Sequence, residues 1–288
     1  MGLVLTLAAC GGSDTPPQDT VVDSSQVAKG AEDARIVQLG GRNFSIPSPV
    51  QAAYAIRGAG LNYNAALLAG TDKAGAITER PRRSLFLGML GADMAYVTVH
   101  GDGQKALATL QTIERVGSEL ELSNAFDRAL IERFKSNLGS EDSLLRFSGV
   151  AFRAADQYLK DNDRMDVSTY VLAGGWLESL HLTVSDPAAA DNAELMARIG
   201  EQRRSLDDLV ALIGSLPADE QDLRLLEGLK ALQVTFSGIT STYTYEAPVT
   251  EVAKRTTYIN SKTGVTITSE QFARIATQVS ELRSMILA

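Results

Sequence analysis

The chain has few cysteine, histidine and aromatic residues. Its 288 residues include one cysteine, two histidines and one tryptophan, and aromatic residues make up 6%. One cysteine excludes a disulfide within the chain and a thiolate metal cluster. Two histidines leave little choice of metal ligand or general base. The low aromatic content is untypical of a carbohydrate-binding platform or a base-stacking surface.

Positive charge and long apolar runs are also scarce. The formal net charge is −8, from 27 Lys and Arg against 35 Asp and Glu. This acidity argues against nucleic acid as a partner, because DNA and RNA binding depends on basic patches. A membrane-spanning helix needs about 20 apolar residues. The longest candidate segment, 85–99, is shorter and contains Asp93.

The single cysteine ends a recognisable motif. Leu7, Ala8 and Ala9 precede Cys10 and match the bacterial lipobox, in which small side chains fit the signal peptidase and the thiol receives the lipid. We expect residues 1–10 to be a truncated lipoprotein signal peptide, because nine residues precede Cys10 and none is basic. The alternative is a chance cysteine in a disordered N-terminus. A lipoprotein carries more than one acyl chain, palmitate among them, so the anchor at Cys10 would be stable.

Residues 11–43 are predicted to be a flexible tether, and residues 44–288 a single domain. The segment 11–40 is rich in Gly, Ser, Asp, Pro and Gln and has no periodic apolar positions. Treated as a coil, about 30 such residues span roughly 30 Å on average. Together with the anchor, this predicts a domain in the bacterial cell envelope, attached to a membrane at the outer-membrane or periplasmic face.

Apolar periodicity predicts an all-α domain built of antiparallel helical hairpins. Segments 85–100 and 167–184 are apolar nearly all round, which is typical of buried central helices. One-sided apolar stripes predict further helices over 104–120, 124–138, 140–161, 192–216 and 217–236, and over the stretch after residue 268.

Local signals mark two helix starts. Ser48 followed by Pro49 predicts a helix over 50–58, with serine as the cap and proline in the first turn. Thr268 with Gln271 predicts a capping box at the start of the last helix.

Residues 240–268 differ from the rest of the domain. Thr and Tyr alternate there, and 260–264 is a turn signal flanked by β-type residues. A short β-hairpin near 255–268 and an extended arm both agree with this pattern.

Four segments resemble a known group of proteins. They read IPSPVQ at 46–51, GADMAY at 91–96, NLGSEDSLL at 137–145 and AGGWLESLHL at 173–182. They are similar to segments of uncharacterised lipoproteins of Bacteroidota-type bacteria. The resemblance implies a helical domain, lipid anchoring and the cell envelope. It implies no activity, ligand or catalytic residue.

Two acidic residues interrupt the most apolar helices, Asp93 and Glu178. A buried carboxylate is costly unless it is paired or hydrogen-bonded. One interpretation is structural, in which each pairs with a neighbouring Arg, Tyr or helix N-terminus and fixes helix register. The other is a binding site between the two helices. Trp176, which follows Gly174 and Gly175, either lines such a pocket or fills space left by the glycines.

The side chains near these two carboxylates define the candidate site. Asp93, Tyr96 and His100 share one helix face at i, i+3 and i+7, and Glu178 with His181 forms a Glu-x-x-His pair. This pair occurs once, whereas a di-iron bundle needs it twice. A mononuclear metal site from Asp93, His100, Glu178 and His181 is the remaining metal hypothesis, and no metal or other cofactor is assigned.

The lack of a catalytic set favours binding over catalysis. The chain has no Gly-x-Ser-x-Gly elbow, and acylation of Cys10 would leave no thiol. The leading hypothesis is a non-enzymatic envelope lipoprotein that binds another envelope protein through a helical surface, as an interaction or scaffold module. The alternative is binding of a small or lipid-like ligand in a pocket between the central helices, lined by Asp93, Tyr96, Trp176 and Glu178.

Overall fold

All described residues belong to one compact unit, Ala34–Ala288. The computed structural model describes residues 36–39, 42–45, 48–122, 128–136, 157–158, 161, 164–217, 220–251, 253, 256–258 and 260–288. The predicted signal with Cys10, most of the predicted tether and most of the predicted helix over 140–161 lie outside these residues.

The fold class predicted from the sequence is confirmed, because most described residues lie in α-helices. The helices are α1 Pro49–Gly58, α2 Arg80–Val99, α3 Gly103–Glu119, α4 Arg128–Ser136, α5 Met165–Val184, α6 Ala193–Ile213, α7 Glu220–Ser237 and α8 Ser269–Leu287. Three short 3-10 helices lie between them, at Ala65–Leu67, Thr71–Gly75 and Pro187–Asp191.

Helices α2 and α5 form the centre of the unit, as their all-round apolar sequences predict. Every residue of α2 from Ser84 to Val99 is buried, and most of α5 is buried as well. The other helices bury one face. In α8 that face is an apolar seam at steps of three and four residues: Phe272, Ile275, Val279, Leu282 and Ile286. No helix in the described part of the chain is both long and apolar enough to cross a membrane.

The two central helices run in the same direction. Leu85 of α2 meets Gly174 of α5, and further along Asp93 meets Glu178, so the contacts advance together along both helices. Helices adjacent in sequence, such as α2 with α3 and α6 with α7, also pack against each other. The fold therefore combines side-by-side neighbours with a parallel central pair of helices that are distant in sequence.

The predicted helix starts are confirmed. The Ser48 side chain accepts a hydrogen bond from the backbone N–H of Val50, and Pro49 opens α1. At α8, the Thr268 side chain accepts from the Gln271 N–H while the Gln271 side chain accepts from the Thr268 N–H. These bonds satisfy amide groups that have no partner within the helix.

The predicted β-structure before α8 is longer than expected, and residues 262–264 of the predicted turn belong to a strand. Strand β3, Thr240–Thr244, pairs with β6, Lys262–Thr266, and β4, Val249–Glu251, pairs with β5, Thr256–Tyr258, all antiparallel. We call residues 240–266 the ribbon. The turn signal at 260–264 was misleading, because Gly264 lies within β6 opposite Thr242. A Cβ at Gly264 would lie 2.6 Å from the Thr242 hydroxyl, so packing across the ribbon accounts for this glycine.

A second hairpin lies before α1. Strand β1, Ile36–Leu39, pairs antiparallel with β2, Arg42–Ser45. Most of this hairpin falls in the segment assigned to the tether, so ordered structure begins before residue 44.

Candidate functional site

The candidate residues lie beside the closest approach of α2 and α5. A Cβ at Gly88 would overlap the carbonyl oxygen of Val171, and a Cβ at Gly174 would overlap that of Leu85. The two backbones therefore touch at positions where any side chain would separate them. This explains why glycines occur in helix interiors, where each costs about 1 kcal/mol relative to alanine.

Just beyond this crossing, the two embedded carboxyl groups meet. Asp93 is 2% exposed and Glu178 is 0% exposed. Arg283 of α8 donates two hydrogen bonds to Glu178, from Nε to Oε2 at 2.8 Å and from Nη2 to Oε1 at 3.0 Å. This two-pronged geometry is the strong form of an arginine–carboxylate pair. The Glu178 charge is thereby matched inside the core, and α8 is joined to α5.

The surroundings of Asp93 favour its protonated form. Its Oδ2 accepts a hydrogen bond from the Ala69 N–H at 2.8 Å, while Oδ1 has no N–H donor among the described residues. Burial, followed by the nearby negative charge of Glu178, raises the pKa of Asp93 well above its usual value. The two carboxyl groups are close enough for each to perturb the pKa of the other. A proton on Asp93 would allow its carboxyl group to donate to Glu178, and the two bonds from Arg283 favour the charged form of Glu178 although burial raises its pKa.

These same groups hold the connecting segment 61–70. Arg283 Nη2 donates to the carbonyl oxygen of Leu67 at 2.8 Å, and Tyr96 Oη accepts from the Asn64 N–H at 3.0 Å. The Ala69 N–H bond to Asp93 is the third of these contacts. Three side chains thus satisfy backbone groups of a segment whose regular structure is limited to the short 3-10 helix Ala65–Leu67. The structure thus gives Asp93, Glu178 and Tyr96 partners within the fold, which supports the structural interpretation.

His100 lies in an aromatic stack away from the carboxyl pair. Its ring centroid is 4.5 Å from that of Tyr96 and 5.5 Å from that of Tyr63. His100 Nδ1 donates to the Tyr96 carbonyl oxygen at 2.9 Å, and the Tyr63 hydroxyl donates to Asp102 Oδ2 at 2.7 Å. Burial and the bond to Asp102 raise the pKa of Tyr63, so this phenol stays neutral.

The described residues do not assemble a metal site. No group of three or more His, Cys, Asp or Glu side chains among them is placed to hold an ion. Asp93 and Glu178 come together, but His100 stacks on tyrosines, and the charge next to the carboxyl pair is the guanidinium of Arg283. The proposed mononuclear set therefore gains no geometric support from this part of the chain.

His181 is buried beside the same ion pair and is neutral. Burial, and then the positive charge of Arg283, lower the pKa of His181 to about 4. The ring lies beside the Leu67 backbone, and Nδ1 lies 3.1 Å from the Ser185 hydroxyl. His181 thus packs as an uncharged polar group next to the segment 61–70.

This neutral histidine predicts a loss of stability in mild acid. The unfolded chain protonates His181 near pH 6.5, whereas the folded chain resists protonation until about pH 4. Neutral His181 therefore contributes its full share of the folding stability above pH 6.5. This stability is lost as pH falls from 6.5 to about 4, and the loss is on the order of 3 kcal/mol. Urea unfolding of wild type and His181→Gln at pH 7 and pH 4.5 measures it. The wild type should lose more stability than the variant; equal losses would contradict the assignment.

Trp176 lies on the side of α5 that faces α6, whereas Glu178 faces Arg283 of α8. Its indole is 3% exposed, and Nε1 donates to Gln202 Oε1 on α6 at 2.9 Å. It lines a cleft of about 220 Å³ between α1, α5 and α6. Asp93, Tyr96 and Glu178 do not line this cleft. Trp176 therefore does not share this cleft with those three residues.

Sequence reasoning missed Arg283, which organises the buried charges. It is separated from Glu178 by 105 positions, so no local spacing connects them. One signal was present: Arg283 lies four residues after Val279 and three before Ile286, next to the apolar seam of α8. A basic residue at the edge of a buried seam is a candidate partner for an acidic residue in a buried helix.

Comparison with family models, curated proteins and solved structures found no significant match. The resemblance to Bacteroidota-type lipoproteins and the lipidation of Cys10 both stay predictions.

Proposed function

We propose that this chain is a lipid-anchored lipoprotein of the bacterial cell envelope whose domain binds another envelope protein through the ribbon. The anchor part of the proposal is supported by the lipobox that ends at Cys10. The binding part is supported by the structure of residues 240–266. The sequence led us to expect a helical surface, but the exposed apolar side chains favour the ribbon.

The observation on which this proposal rests is a concentration of exposed apolar side chains. On the ribbon, Tyr243 is 68% exposed, Tyr245 69%, Val249 54% and Tyr258 41%. Tyr243 lies in β3 and Tyr245 follows the end of that strand, and Val249 is the cross-strand partner of Tyr258. Contiguous exposed apolar groups mark interaction sites, and tyrosine is enriched in protein interfaces.

The backbone of the ribbon offers a second means of binding. All five residues of β3 are exposed, and among the described strands β3 pairs with β6 alone. The stretch 240–245 contains neither charge nor proline. Proteins usually protect a free strand edge with such residues. An unprotected edge suits a partner that adds a strand, with main-chain hydrogen bonds giving affinity and the tyrosines giving specificity.

The ribbon is supported by the helical domain at its base. Val265 of β6 packs against α6 at Gly200, where a Cβ would overlap the valine side chain. Lys262 pairs with Glu246 at 3.2 Å, and the Thr250 and Thr257 hydroxyls lie 3.0 Å apart across β4 and β5. The base of the ribbon is therefore packed on α6, and the pairs across its strands lower the ordering cost of binding.

Site-specific photo-crosslinking tests the proposal. A photoreactive amino acid at Tyr245 or Val249, in the full-length lipidated protein in its own membranes, should crosslink to the same envelope protein from both positions. Val234 on α7 is 73% exposed and is a matched control outside the ribbon. A Cys10→Ser variant should lose the crosslink if anchoring brings the partner within reach. An identical crosslink from Val234, or none from the ribbon, would contradict the proposal.

A further inference from the structure

The cleft beside Trp176 has the features of a ligand site that is separate from the ribbon. Three helices contribute its walls, and its volume is about 220 Å³. Four buried apolar side chains of α5 and α6 line it beside several polar ones: Trp176, Leu180, Leu195 and Ile199. On the α1 side, Ala52 and Ala55 line the cleft, and their small side chains leave the space open.

The volume limits the size of the occupant. A cavity of about 150 Å³ holds one benzene molecule, whereas drug-sized ligands need about 300 Å³ or more. The cleft lies between these limits. Scaling from benzene gives an occupant of about nine non-hydrogen atoms. A short hydrocarbon chain or one small ring fills this space.

Charge at the mouth indicates the polar end of the occupant. Arg198 and Arg204 both line the cleft and are exposed. Arg198 is paired with Glu194 at 2.9 Å, whereas Arg204 has no ion pair with any described residue. Glu201 is the acidic residue of the lining. Because Glu194 neutralises Arg198, Arg204 is the arginine of the lining that is available to attract an anion. Arginine binds a carboxylate with paired hydrogen bonds.

A polar network fixes the wall between Trp176 and the arginines. Gln202 accepts a hydrogen bond from Trp176 Nε1, and its Nε2 donates to the Arg198 carbonyl oxygen at 3.0 Å. The indole is therefore held in one orientation with its ring towards the cleft lining. A ring in a fixed position presents apolar surface without an ordering cost on binding.

We propose that this cleft binds a short-chain carboxylate, with its hydrocarbon part against Trp176 and its carboxylate at Arg204. This site goes beyond the protein-binding role of the ribbon and does not depend on it. The two surfaces share no lining residue, because the ribbon comprises residues 240–266 and the cleft lies between α1, α5 and α6.

Intrinsic fluorescence reads this site directly, because Trp176 is the one tryptophan of the chain. Hexanoate, with eight non-hydrogen atoms, is the probe, and hexanamide is its uncharged counterpart. Titration of the full-length protein with hexanoate should shift the emission with a saturable profile. The expected Kd is on the order of a millimolar for so small a ligand. Hexanamide should bind about fivefold more weakly, since it lacks the charge that Arg204 pairs with.

Three variants separate a specific site from a general effect. Ala55→Leu should fill the cleft and remove the saturable shift, whereas Ala273→Leu, an exposed alanine of α8, should leave it unchanged. Arg204→Gln should weaken hexanoate about fivefold and leave hexanamide as it is. An unsaturable shift in wild type, or one that survives Ala55→Leu, would overturn the site. Equal affinity for hexanoate and hexanamide would overturn the assignment of a carboxylate.

Discussion

Replacing Arg283 with glutamine is expected to lower the free energy of unfolding by about 3–5 kcal/mol, the cost of removing one partner of a buried ion pair. The change leaves the fully buried Glu178 carboxylate without its two hydrogen bonds from Arg283. It also removes the donor to the Leu67 carbonyl oxygen. Urea unfolding at pH 7 measures the loss. The loss should shrink towards pH 4, because an unpaired buried Glu178 takes up a proton more readily in the folded chain than in the unfolded chain.

Arg274→Gln is the matched control on the same helix. Arg274 pairs with Glu270 at 2.8 Å, but the two side chains are 59% and 82% exposed. Exposed pairs contribute about 1 kcal/mol or less, so this variant should remain close to wild type. Similar small losses for Arg283→Gln and Arg274→Gln would show that the buried pair does not hold α8 in place.

The variant Asp93→Asn tests whether the Asp93 carboxyl group carries a proton in the folded chain. If Asp93 is protonated, asparagine reproduces its groups, with an oxygen that accepts from the Ala69 N–H and an amide that donates to Glu178. The variant should then stay within about 1 kcal/mol of wild type. A loss as large as that of Arg283→Gln would mean that the charge of Asp93 itself is needed.

The second large effect is expected at the crossing of the central helices. Gly88→Ala and Gly174→Ala each place a Cβ on a carbonyl oxygen of the opposite helix, at Val171 and Leu85 respectively. The helices must separate, because backbone atoms cannot rotate away as a side chain does. Each change should cost about 3 kcal/mol, the upper part of the range for overpacking. Thermal and urea unfolding of the two variants measure the cost.

Gly58→Ala is the control for helix propensity. Gly58 ends α1, and a Cβ there would meet nothing within 4 Å. Alanine should therefore leave stability unchanged or raise it by up to about 1 kcal/mol, since it restricts the unfolded chain. If Gly88→Ala behaves like Gly58→Ala, the central helices do not touch as described.

The helical architecture could be predicted because its signals are local. Residues 85–99 are apolar nearly all round, which predicts a helix that is buried on all sides. The structure confirms this, because that stretch of α2 is buried. The capping box at Thr268 and Gln271 likewise depends on residues three positions apart. Apolar periodicity and helix caps depend on residues within a few turns of each other, so a single sequence is sufficient to predict these helices.

The candidate site was harder to predict because its partners are remote in sequence. The sequence indicated that Asp93 and Glu178 need partners, but Arg283 comes from α8 and Ala69 from the segment 61–70. Gly264 shows a similar limit. Its turn signal was plausible in isolation, whereas its role depends on the register that places Thr242 opposite. Trp176 and Glu178 are two residues apart on α5, which directs them to different faces.

The central claim is that the buried charges maintain the fold while the ribbon makes the functional contact. The most direct test is affinity capture from native membranes with full-length wild type and the double variant Tyr243→Ser, Tyr245→Ser. Both tyrosines are more than half exposed, so the variant should keep the wild-type melting temperature. The account predicts that it loses the partner that wild type enriches. A variant that folds normally and retains that partner would contradict the account.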